Sequence, residues 1–118
     1  MELNVLDKKN GVLHLELVGG VFDVHTSMRD EPLKPLLGTQ GYGQQVLMNL
    51  ERTTTVNSMG LSWLIVSHRR FDEAGGRLVL YSIPPPVMET MMIMRLNTLL
   101  DVADDEAAAR KHLEENKS

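Results

Sequence analysis

Leu3 and Val5 alternate with Glu2 and Asn4, and Leu13, Leu15 and Leu17 alternate with His14 and Glu16. A period of two marks half-buried strands. Between them Lys8-Lys9-Asn10-Gly11 supplies turn chemistry, because Asn and Gly tolerate positive φ. The opening is therefore a β-hairpin, which Gly19-Gly20 ends. Residues 21–44 carry no clear period. Within them Asp30-Glu31-Pro32 predicts a helix start with Asp30 as cap, and Pro35 and Gly38 keep that helix short. Gly41-Tyr42-Gly43 reads as a loop. The compact apolar run Val46-Leu47-Met48-Asn49-Leu50 has the pattern of a central parallel strand buried on both faces.

Thr53-Thr54-Thr55-Val56 is β-branched and extended. Asn57-Ser58 then gives a helix N-cap signal, and Leu61, Leu64, Ile65, His68 and Phe71 follow at helical spacing until Gly75-Gly76. Trp63 and Val66 lie off that stripe, so they either pack on the sheet from its flank or extend a surface around Ser58. Leu78-Val79-Leu80-Tyr81 predicts a second buried strand, and Pro84-Pro85-Pro86 punctuates the chain. A helix rich in Met and Leu is predicted over 87–96, and a short edge strand over 99–102. Asp104-Asp105-Glu106 opens a last helix to about 115, with its acids at the positive end of the dipole. After the hairpin, strands alternate with helices. That order predicts an α/β domain, a mainly parallel sheet of four or five strands with helices packed against it.

The chain has 118 residues, enough for one domain spanning 1–118. Hydrophobic residues make up 42% and charged residues 24%, which places it among globular chains and away from disorder. A net charge of −4 disfavours a nucleic-acid partner, which would need basic groups to neutralise phosphates. Without cysteine there are no disulfides and no thiolate chemistry. No apolar run approaches the roughly 20 residues that cross a bilayer, and no export signal opens the chain, so the expectation is a cytoplasmic protein with no membrane partner. The oligomeric state is left open.

His14, His25, His68 and His112 show no metal-ligand spacing, and no nucleophile elbow or phosphate loop is present. Structural or surface roles are expected for all four. With no convergent acid–base set, the chain reads as a non-enzyme without cofactor or metal. Met88, Met91, Met92 and Met94 cluster in one predicted helix, either as adaptable core filler or as a partner surface.

One ordered set of segments resembles a known family. Asn57-Ser58-Met59-Gly60-Leu61 opens a helix after a buried strand. Gly75-Gly76-Arg77-Leu78 turns into the next strand, and Leu96-Asn97-Thr98-Leu99-Leu100 precedes the last helix. This set is similar to the STAS domain family (sulfate transporter and anti-sigma factor antagonist) in its stand-alone bacterial anti-anti-sigma form. The resemblance implies a regulatory module that binds an anti-sigma factor serine kinase of the histidine-kinase-like ATPase fold. It places the phosphoacceptor at Ser58, and a partner surface at Asp23, Thr26, Asn57, Ser58, Met59, Gly60 and Trp63. The family's Asp is Asn57 here, and an acid in the preceding strand is replaced by Asn49. That departure keeps an alternative open: a constitutive STAS interaction domain that is not phosphorylated, within a signalling assembly.

Overall fold

The computed structural model describes residues 2–21 and 32–115. Strands β1 (Glu2–Lys9) and β2 (Val12–Val21) form the antiparallel hairpin. Asn10 and Gly11 both take positive φ, 55° and 76°, the pair of left-handed conformations that a two-residue turn between twisted strands requires. A single turn, α1 (Lys34–Leu37), and a 3-10 segment (Gly38–Gly43) lead to β3 (Gln45–Asn49). Then follow β4 (Thr53–Val56), α2 (Ser58–Glu73), β5 (Arg77–Tyr81), α3 (Pro85–Ile93), a 3-10 turn (Leu96–Thr98), β6 (Val102–Ala103) and α4 (Glu106–Glu115).

The sheet runs β1-β2-β3-β5-β6, and every pairing other than the hairpin is parallel. It holds six strands where four or five were expected, because β4 pairs with the end of β2. The turn after β3 makes this possible: Thr53 donates to Leu50 O and Gly19 donates to Arg52 O, both at 3.0 Å. The β-branched stretch that read only as extended is thus a paired strand that aims the chain into α2.

Two apolar layers flank the sheet. On one face Leu13, Leu15, Leu17, Val46, Met48, Leu78 and Leu80 meet α1, α2 and α3 through Leu37, Leu61, Trp63, Leu64, Phe71, Val87 and Met91. On the other, Leu47, Val79 and Tyr81 lie under Ala109 and Leu113 of α4. Burial from both sides explains why β3 and β5 read as unbroken apolar runs while β1 and β2 alternate.

Boundaries differ where proline and left-handed residues intervene. Asp30 falls outside the described residues; α1 begins after Leu33 with Pro35 in its first turn. Pro85 and Pro86 form the first turn of α3, where a missing N–H costs nothing. That helix stops at Ile93 instead of residue 96, because Arg95 turns left-handed at φ 58°. The edge strand is confined to Val102–Ala103.

Candidate functional site

Strand β4 delivers the chain to the start of α2 at the end of the sheet where the parallel strands finish. Asn57 stays extended (φ −102°, ψ 178°), and its Oδ1 accepts from Gly60 N at 2.8 Å. Leu61 N donates to Asn57 O at 3.0 Å, the first intrahelical bond of α2. The amides of Ser58, Met59 and Gly60 precede that bond and have no intrahelical carbonyl to reach. Asn57 serves the last of them. Ser58 and Met59 therefore stand at the positive end of the helix dipole, and both are exposed. The first turn carries no acid.

This geometry settles which residue is the cap. The amide of Gly60 lies in a buried residue and takes its acceptor from Asn57, so capping does not occupy the Ser58 hydroxyl. Beside this tip the exposed Thr54 and Thr55 of β4 face Pro86 and Thr90 of α3 across a shallow cleft.

The five described residues expected to form one surface divide into three groups. Asn57, Ser58 and Met59 share the exposed tip. Gly60 is buried just beneath it, where it anchors the cap. Trp63 does not belong to a docking surface: it is 2% exposed and packs in the main core. The buried face of α2 is Gly60, Leu61, Trp63, Leu64, Ser67 and Phe71. It is rotated toward Trp63 relative to the stripe expected from Leu61, Ile65 and His68, which leaves Ile65, Val66 and His68 half-buried. Asp23 and Thr26 lie outside the described residues.

Two polar clusters on the α4 side of the sheet were not read as clusters in the sequence. His14, 4% exposed, contacts the Tyr81 hydroxyl through Nε2 and Asp7 through Nδ1, the latter at 3.4 Å. Burial pushes the Tyr81 phenol up to about 12, and the nearby Glu106 carboxylate adds to the rise. In the second cluster, Asp101 accepts from Arg77 Nε at 2.5 Å and meets His112 Nδ1 at 3.2 Å. Arg77 also donates to the His112 carbonyl, which ties β5, the β6 approach and α4 together. The only available signal was alternation: His14 falls between Leu13 and Leu15, on the face whose cover becomes visible once α4 is placed. Both histidines have structural partners. Among the described residues no group of three His, Asp or Glu side chains could hold a metal ion. None of the described helices is long and apolar enough to cross a membrane.

Solved structures share this architecture. The anti-sigma factor antagonist SpoIIAA in its unphosphorylated form aligns over 98% of this chain and 99% of its own, with TM-score 0.66 and 16% identity. An anti-sigma factor antagonist from Mycobacterium paratuberculosis gives TM-score 0.74 at 14% identity, covering 96% of this chain and 95% of its own. A serine-to-glutamate variant of RsbS from Moorella thermoacetica gives TM-score 0.67 at 18% identity, covering 98% and 97%. No curated protein matches the chain in sequence. The STAS domain model matches residues 5–109, from the first strand into the last helix. With that match across nearly the whole sheet and its helices, the chain belongs to the STAS domain family.

Proposed function

We propose that the chain is an anti-sigma factor antagonist. In this reading it docks an anti-sigma serine kinase of the histidine-kinase-like ATPase fold through the tip of α2, and phosphorylation of Ser58 releases it. The observation that carries the reading is the division of labour at that tip. Asn57 does the capping, so an exposed hydroxyl stands at the positive end of a helix with no structural duty in the cap. In the transfer, Ser58 Oγ attacks the γ-phosphorus of ATP held by the partner. The bond from that phosphorus to the β,γ-bridging oxygen breaks, and ADP leaves. In this scheme the base that takes the hydroxyl proton belongs to the kinase; the first turn of α2 itself carries no acid. The product carries about −1.5 to −2 charges beside exposed Met59, inside a contact that had been neutral. The helix terminus tolerates that charge; the interface does not.

The chain contributes no catalysis of its own in this scheme. Ser58→Asp should keep the fold, because an acid in the first turn of a helix stabilises it by about 0.3–1 kcal/mol. The same change should weaken kinase binding at least about tenfold, or ~1.4 kcal/mol. The test is a pull-down from the native organism with wild type, Ser58→Ala and Ser58→Asp as baits, together with intact mass after incubation with the captured kinase and ATP. Equal capture by all three baits sinks the switch.

Asn57 supports the second reading, a constitutive STAS interaction domain. It caps as well as Asp but supplies no carboxylate beside the serine. Capture of a partner whose kinase leaves the mass of the chain unchanged would favour that reading.

A further inference from the structure

Helix α3 buries only Val87 and Met91 against the sheet. Pro86 and Thr90 face β4 across the cleft beside the α2 tip. Its third side is apolar yet open. Met92 is 58% exposed, Ile93 76% and Met94 51%, and Leu99 just beyond is 49% exposed. Scattered singly such residues are ordinary, but Met92, Ile93 and Met94 are consecutive, and the first two share one groove. Ile83, Met88, Met92 and Ile93 line a groove of about 670 Å³, bordered by Glu89 and Asp104. Among the described residues no basic side chain lines it, and neither carboxylate has an ion pair. Asp105, next to Asp104, is engaged differently, capping α4 through Ala108 N at 2.8 Å.

We infer that this groove docks an apolar segment flanked by Lys or Arg from another protein, an amphipathic basic helix being the form that fits. Methionine side chains adapt to varied apolar partners, and unpaired carboxylates at the rim complement basic flanks. The same charges argue against two other occupants. A second copy would bring Glu89 and Asp104 toward their own counterparts, on a chain whose net charge is −4. An anionic lipid surface would meet the same repulsion. The groove shares no lining residue with the cleft between β4 and α3, and Ser58 does not line it.

The test uses the full chain labelled at the methionine methyl groups, titrated with a short synthetic amphipathic helix built from leucine and lysine. Its leucine–glutamate counterpart is the control. The lysine peptide should shift the Met88 and Met92 methyls, and the glutamate peptide should not. Ile93→Lys and Glu89→Lys should each weaken binding about tenfold or more. Glu73→Lys, an equal charge change at an exposed site on α2 outside the groove, should leave it within about twofold. Ser58→Asp should leave it unchanged, so the result stands apart from the fate of the kinase reading. Unmoved Met88 and Met92 methyls overturn the inference. So does a loss from Glu73→Lys as large as that from Glu89→Lys, which would mean diffuse charge attraction. Self-association that Met92→Lys abolishes also overturns it, by identifying the occupant as a second copy.

Discussion

Asn57→Ala tests the assignment on which the functional reading rests. The substitution removes the Oδ1 acceptor that holds Gly60 N at 2.8 Å. Loss of an N-cap side chain costs about 0.5–2 kcal/mol in general. Gly60 is buried, so its amide cannot simply turn to water, and an unsatisfied buried donor costs about 1–3 kcal/mol. The two ranges describe the same bond and overlap near ~1.5 kcal/mol. For a domain of this size about 1 kcal/mol moves Tm by roughly 3–6 °C, so Asn57→Ala should melt about 5–9 °C lower. Ser58→Ala should stay within ~0.5 kcal/mol of wild type, since Ala is the better helix former and no cap is lost. Urea unfolding gives both free energies, and hydrogen exchange at the Gly60 amide reports the bond directly. The reasoning fails if Ser58→Ala costs as much as Asn57→Ala. The hydroxyl would then be the cap, and the argument for its regulatory freedom would be gone.

Trp63→Ala should destabilise by about 3–5 kcal/mol as measured in urea, because the indole is core and no docking contact; a loss of kinase capture at unchanged stability would contradict that placement. Tyr81 should titrate near pH 12 by ultraviolet absorbance. Its folded pKa lies above the unfolded value of about 10, so its contribution to stability is whole below pH 10 and is lost as pH rises from there toward 12. Tyr81→Phe should remove that component of the alkaline decline, and an identical decline in both proteins refutes the assignment. Gly76→Ala should lower stability sharply, because a Cβ there would overlap the carbonyl oxygens of Tyr42 and Gln44; an unchanged urea midpoint would show that this close approach is not kept in solution.

Local chemistry alone determined much of this protein. Asn10-Gly11 specified the hairpin turn, because few residues accept two consecutive left-handed conformations. Asn57 specified where α2 starts, because a short polar side chain can satisfy an amide three residues on. Apolar runs without alternation marked β3 and β5 as central strands, since only strands covered on both faces lack a polar side. The ordered motifs from Asn57 to Leu100 then pointed to the family.

Tertiary packing decided the rest. The rotation of α2, and with it the burial of Trp63, follows from how the helix beds on the sheet; helical spacing allowed a wider choice of faces. The pairing of β4 with the end of β2 depends on segments distant in sequence: Gly19 N donates to Arg52 O, and Gly19 and Val21 lie in register with Thr53 and Val56. His14 acquired partners on β1 and β5 only when the sheet brought Asp7 and Tyr81 beside it. Short-range preferences are written into neighbouring residues, whereas which side of an element is covered depends on contacts that no local stretch of chain contains.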